Sequence, residues 1–423
     1  MGTILLKNIS FKEENVDILI EGGLISKIRP AGCIPNPASG AEITDCTGKA
    51  AAPGFINMHT HAAMSLMRGV QEDVAFQQWL KEIWKIEAGI DEDYVYAASK
   101  VAFLEMIKTG TTTFNDQYWH SQATHRAAIE MGLRPVTSYV VCDKYDPEEA
   151  AREKEQCEKR YEESLAWKDG SIFSMAFHSV YSVSEEMMLW ASDFARAHGL
   201  RLHIHLSETP EEVEECKKKH GGLSPVEYLD RLGILDEKVI AAHTLWISEN
   251  DIRILGERKV NCVHNINSNT KLASGYRFLY KELKDAGANI CIGTDGCASS
   301  NNLDMLEAMK TSAIIQKAWR DDPKAWPLHE LLECATVNGA KALGLNTGRI
   351  EEGKNADLLI VDTENSFFLS PGTFLANFIY SAHSDCIDSV IAGGRFVMKG
   401  RKIIGEQAIL NSGREVLKEI RQD

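Results

Sequence analysis

Apolar residues near the start of the chain fall into short runs of β-like alternation at 4–9 and 16–28, the second interrupted by Gly22-Gly23. A weaker run at 42–45 precedes Pro53-Gly54. The far end repeats the pattern, with runs at 356–362 and 387–392, then Gly393-Gly394 and 395–398. Short alternating runs divided by glycine pairs read as strands joined by tight turns. Both ends therefore predict the same kind of structure, unlike what lies between them. The expectation is a small β-sandwich domain composed of residues 1–52 and 350–423, with residues 53–349 inserted as a second domain.

The middle alternates strand-like and helix-like stretches. Eight candidate strands lie at 56–61, 111–115, 134–141, 171–178, 202–206, 239–243, 259–264 and 289–294. Helical spacing appears between them, at 94–108, 184–198, 210–220, 224–232 and 275–286, and then at 304–317 and 328–342. Eight repeated strand–helix units predict an α/β fold, a (β/α)8 TIM barrel. Most of the unusual His, Asp and Glu residues fall at the C-terminal ends of these strands, where barrels build their active sites.

Composition narrows the partners. A barrel with a satellite suits 423 residues, and 44% apolar with 25% charged residues is ordinary for a globular protein. The net charge is −15, and no Lys/Arg stripe offers a phosphate-backbone footprint, so no nucleic-acid partner is expected. The first residues alternate and carry charges, unlike a signal peptide, and no apolar run approaches a membrane span. Ten cysteines without a CxxC pair give no structural zinc knuckle and fit a cytoplasmic protein with reduced thiols. The apolar tracts at 367–369 and 374–378 suit a subunit interface as well as a core, and a homo-oligomer is expected.

Candidate chemistry begins at His59-Thr60-His61. Period-two geometry puts both imidazoles on one face of a strand end. A second such pair, His203-Ile204-His205, closes the fifth strand. His178 and His243 close two others, and Asp295 follows the eighth. A lone strand-end histidine is usually a hydrogen-bonded core residue, the ordinary reading of His178 or His264 taken alone. Two HxH pairs, a further histidine and an aspartate at strand ends form a set suited to one divalent metal, zinc first and iron second.

The segments 53–61, Arg68-Gly69, 205–209, 264–269, 271–275, 293–296 with 299–302, and 353–357 resemble the amidohydrolase superfamily along nearly the whole chain. The similarity is to its branch of adenosine-type, guanine and triazine aminohydrolases and chlorohydrolases. The resemblance implies that His59, His61, His205 and Asp295 bind the metal. His203 would stand behind them, because the family spacing His-x-x-Glu is met by His205 and Glu208. The fourth strand ends without the lysine of two-metal members, so one metal is expected. Asn267 and the unprolined stretch before Glu87 depart mildly from the pattern.

A divalent metal makes water a nucleophile near neutral pH. Asp295 would accept its proton, Glu208 would act as general acid toward a ring nitrogen, and His243 would polarise the attacking oxygen. The acid-rich stretch around Glu208 could equally be a solvated helix start; its spacing from His205 favours catalysis. The stretch from Arg68 to Glu87 resembles deaminases of methylthioadenosine and S-adenosylhomocysteine. That likeness places Glu87 on the ribose hydroxyls and His178 beside the purine, and Ser299 and Asn301 on the supporting loop. The implied activity is hydrolytic deamination of the adenine ring of such a purine nucleoside, with release of ammonia. Guanine-type or triazine hydrolysis shares the same metal site, and a noncatalytic metal-binding barrel is the rival from another class. Lys144, Arg152 and Arg134 are the candidate cations for a substrate carboxylate.

Overall fold

The alternating runs at the start become strands whose inward side chains are sealed from water. The computed structural model describes residues 2–37 and 40–420; residues 1, 38–39 and 421–423 of the expected composite unit lie outside the described residues. The first strands are β1 (Ile4–Phe11), β2 (Glu14–Glu21), β3 (Leu24–Pro30), β4 (Glu42–Asp45) and β5 (Lys49–Pro53). Eight more follow: β6 (Phe55–Thr60), β7 (Thr111–Gln117), β8 (Arg134–Val141), β9 (Ile172–Phe177), β10 (Leu202–Leu206), β11 (Val239–His243), β12 (Asn261–His264) and β13 (Asn289–Ile292). The last are β14 (Leu358–Asp362), β15 (Ile387–Ala392) and β16 (Arg395–Met398).

The terminal strands share one mixed sheet in the order β16-β15-β14-β5-β1-β2-β3, with β4 branching from β1. Its seam is β5 against β14, antiparallel from Lys49–Asp362 to Pro53–Leu358. Ile18, Ile20 and Ile25 bury one face together with Leu358, Ile360 and Ile391. Leu5, Leu19 and Ile34 pack on the other.

β6 to β13 run parallel in sequential order. The ring closes where the backbone N–H groups of Thr294 and Asp295 donate to the His59 carbonyl, at 3.2 and 2.9 Å. Gly293 permits that approach, since a Cβ there would lie 2.8 Å from the His59 nitrogen. Ile56, Met58, Val136, Ile240, Val263 and Cys291 fill the barrel floor against Ala340 and Leu343 of the helix Val337–Leu343. With the floor plugged by apolar side chains, the polar strand ends converge at the opposite mouth. After β6 come α1 (Phe76–Glu87) and α2 (Glu92–Lys108). α1 roofs the mouth, burying Trp79, Leu80 and Ile83 against Met64, Met67 and Tyr118.

Some helices depart from the sequence reading. The stretch 328–342 is two helices, Leu328–Cys334 and Val337–Leu343, because the Ala335 carbonyl turns to accept the Ile56 N–H at 2.8 Å. Only Tyr280–Ala286 is helical within 275–286; the preceding turn stacks Phe278 on His264 and offers its carbonyl to Gln316. Several helices were not among the expected stretches, Ser121–Met131 and Glu249–Glu257 included, and two more are informative. Pro147–Ser164 buries only Glu153, Cys157 and Ser164, too little for an apolar stripe to show. Glu406–Ile420 leaves the terminal sheet and lies along α2, where Lys108 pairs with Glu406.

One ion pair fastens the two sheets. Arg134, at the base of β8, meets Asp357, whose side chain is 1% exposed and also accepts from Thr347 Oγ1 and the Gly393 N–H. Arg134→Met leaves that carboxylate without its cation, and such losses cost about 3–5 kcal/mol; the two remaining donors place the expectation at the lower end. A urea titration should show an earlier midpoint, and an unchanged one would contradict this role.

Candidate metal centre and active site

The strand ends deliver their side chains to one point. His59 and His61 leave the end of β6, His205 the end of β10, and Asp295 the turn after β13. Ligand atoms of His59, His61 and His205 lie within 4.8 Å of one another, as do those of His59, His243 and Asp295. Asp295 Oδ1 stands 3.4 Å from His59 Nε2 and 3.3 Å from His61 Nε2. All are buried.

The hydrogen bonds behind the rings decide what faces inward. His61 Nδ1–H donates to the Gln117 carbonyl at 2.6 Å, and His205 Nδ1–H to the His178 carbonyl at 2.9 Å. Each neutral ring then carries its lone pair on Nε2, and those two nitrogens face each other at 3.3 Å. His59 Nε2 is buried without a hydrogen-bond partner. Converging lone pairs beside a carboxylate are the donor set of a divalent cation, so the residues fit a metal. His203 backs His59, Nε2 to Nδ1 at 2.9 Å, and is itself met by Asn115 at 3.1 Å.

Around this point stand the other expected residues. Glu208, 7% exposed, follows β10, and its Oε1 lies 3.6 Å from His243 Nδ1. Burial, with the charges of Asp295 and Glu212 added, holds its carboxyl well above the usual range. His243 Nδ1 meets Asn269 Nδ2 at 2.9 Å, and its Nε2 lies 4.0 Å from Asp295 Oδ2. Glu87, at the end of α1, accepts the Tyr118 hydroxyl at 2.8 Å, and burial pushes it up to about 7. His178 lines the same cleft, its Nδ1 against Ser182 Oγ at 2.7 Å. Ser299 and Asn301 lie apart from the donors. Ser299 Oγ donates to the Gly296 carbonyl, and Asn301 bridges Glu72 and Lys271 at the rim. His264 is buried against Phe278 and outside the donor groups.

Sequence reasoning missed three supports. Glu212 is 4% exposed and accepts the Ser207 and Glu208 N–H groups, both at 2.8 Å, which fixes the loop bearing Glu208. Its signal was a Thr209-x-x-Glu212 capping pattern hidden among surface-like acids. Ser268 Oγ donates to Asp295 Oδ2 at 2.6 Å, and Asn269 supports His243. The backbone is held in the left-handed region at Ser207, His243, Thr244 and Asp295, with φ of 53, 75, 46 and 62°. Such strain outside glycine persists where surrounding contacts over-determine it, which is common at functional sites.

Residues 50–397 match the model of the Amidohydrolase family. The chain belongs to the amidohydrolase family. It is a metal-dependent hydrolase, with a donor set for one divalent metal per chain. It is 39% identical over 407 residues to the 5′-deoxyadenosine deaminase of Methanosphaera stadtmanae, covering 95% of each chain. It is 37% identical over 407 residues to the 5-methylthioadenosine/S-adenosylhomocysteine deaminase 1 of Archaeoglobus fulgidus, covering 95% of this chain and 96% of that one. Among solved structures, a zinc-bound adenosine deaminase from Xanthomonas campestris superposes with a TM-score of 0.92 at 29% identity, covering 100% of this chain and 98% of the other.

Elemental analysis of this amidohydrolase, purified without added metal, should approach one equivalent per chain. Chelation should lower Tm, and one equivalent of metal should restore it, because the bare donors repel. A reproducible two equivalents, or a Tm indifferent to chelation, would overturn this reading of the site.

Proposed function

We propose that this amidohydrolase deaminates the adenine ring of a 5′-deoxyadenosine-type nucleoside, including 5′-methylthio and S-homocysteinyl forms, and releases ammonia. The observation that carries the reading is one cleft lined together by His61, His205, Asp295, Glu208, His178 and Glu87. In it a metal site, a buried acid and a group able to grip a diol succeed one another. The relatives deaminating 5′-deoxyadenosine and 5-methylthioadenosine support it.

His59, His61, His205 and Asp295 are assigned as the ligands, and zinc as the metal on the donor set and the zinc-bound relative. Bound there, a divalent ion supplies Lewis acidity that makes water nucleophilic at neutral pH. Asp295 Oδ2, oriented by Ser268, takes the proton of the attacking water. Glu208, kept protonated by burial, donates to the ring nitrogen beside the attacked carbon. His243, held by Asn269, steadies the oxygen as charge develops on it. Glu87 accepts the ribose hydroxyls, and His178 lies beside the purine. Residues 53–349 form the catalytic unit, and residues 1–52 with 350–423 its support.

We also place the protein in the cytoplasm as a homo-oligomer. All ten cysteines are free, and Leu369 and Ile404 are large apolar side chains exposed by 81% and 98%. No helix among the described residues is long and apolar enough to cross a membrane. Sedimentation as a single chain would contradict the assembly.

Glu208→Gln keeps the side chain's size but cannot deliver a proton. Its kcat should fall by about 10²–10⁴-fold with metal content unchanged; loss of the metal would show that Glu208 has been misassigned. Glu87→Gln should separate substrates instead. Its kcat/KM should drop for nucleosides while any activity on a sugar-free ring persists, because only the former present ribose hydroxyls. Equal impairment of both would remove the nucleoside assignment.

A further inference from the structure

A second cavity of about 620 Å³ adjoins the metal cleft, and Trp84, Glu87 and Trp119 line both. It lies over the ends of β7 and β8 and beneath the helix Pro147–Ser164, with Tyr139, Asp143, Lys144 and Glu153 in its wall. Its volume is that of a small-ligand site. In ribose the two hydroxyl-bearing carbons lie between the carbon that carries the base and the carbon that carries the 5′ substituent. A diol held by Glu87 at the junction therefore puts the base on the metal side and the 5′ substituent in this second cavity. That step rests on the reading of Glu87 given above.

Glu153 sets the chemistry of the cavity. It is 7% exposed and its Oε2 is buried with no hydrogen-bond partner, while the Tyr139 hydroxyl lies beside the carboxyl. The neighbouring groups are already engaged. Asp143 accepts from Ser184 and caps its backbone, Asp146 caps the helix Pro147–Ser164, and Glu149 pairs with Arg152. Arg160 pairs with Glu163, and Lys144 is exposed, lying over the Trp84 ring at 5.1 Å. Of the three cations considered for a substrate carboxylate, Arg134 is bound to Asp357 at the other end of the barrel and Arg152 to Glu149. An exposed lysine is screened by water, whereas a buried unmet carboxylate oxygen keeps its full demand for a donor. Burial pushes the Glu153 carboxyl up to about 7, opposed by the Tyr139 hydroxyl and Lys144, with Glu149 and Asp143 adding to the rise.

We propose that this cavity receives the 5′ substituent of the nucleoside and that Glu153 selects substituents carrying an ammonium group over those carrying a carboxylate. Three probes test it: 5′-deoxyadenosine, its aminopropylthio derivative and its carboxyethylthio derivative. Each kcat/KM is divided by the same enzyme's value on 5′-deoxyadenosine, so that a general loss of activity cancels. The native enzyme should favour the amine over the acid by roughly ten- to a hundredfold, the worth of one charge-assisted hydrogen bond. Glu153→Gln should bring that ratio toward one, and Glu153→Asp should retain part of it. A native ratio at or below one overturns the proposal even if neither variant folds, and so does a ratio that survives Glu153→Gln. Failure to deaminate 5′-deoxyadenosine itself would count against the nucleoside reading, which is separate from the ratio.

Discussion

Two imidazole nitrogens facing each other at 3.3 Å, each with its proton committed to a carbonyl behind it, form an arrangement that water does not favour and a cation does. Much of the mouth is arranged around that constraint. The Gln117 and His178 carbonyls that fix the rings belong to β7 and to the end of β9, so the barrel wall itself sets the tautomers. Ring closure at His59, which needs Gly293, places Asp295 opposite the same nitrogens. The left-handed turns at His243 and Asp295 then swing side chains inward that regular strands would carry past the site.

The electrostatics of the cleft follow from what is engaged. Glu212 carries a carboxylate as buried as that of Glu208, yet it is satisfied by two backbone N–H groups, whereas Glu208 has His243 at 3.6 Å and the field of neighbouring acids. Burial raises both carboxyls: backbone donors restrain Glu212 at about 7, while Glu208, four residues away and without such donors, is held well above its usual range.

Much of this was legible in the sequence. His59 and His61 announce themselves because a strand repeats every two residues, and the eight barrel strands because apolar runs recur between helical stretches. The terminal sheet was legible from matching runs at the two ends. What escaped depends on contacts between positions that no local pattern connects. Ser268 meets Asp295 across 27 residues, and Asn57 meets Thr294 across 237. The helix Pro147–Ser164 escaped because it is charged on nearly every face, and the break at Ala335 because the bond that makes it comes from Ile56. Glu212 was visible but indistinguishable from its solvated neighbours until the fold buried it.

The seam between β5 and β14 has a consequence in time. Pro53 leaves the ribosome long before its partner Leu358. At about 5–20 residues per second the interval is roughly 15–60 s. Throughout it β5 has an open edge, and the apolar face around Ile18 and Ile20 lacks the strand that completes it. The nascent chain must therefore shelter a half-built sheet, with an open strand edge, while an entire barrel is synthesised.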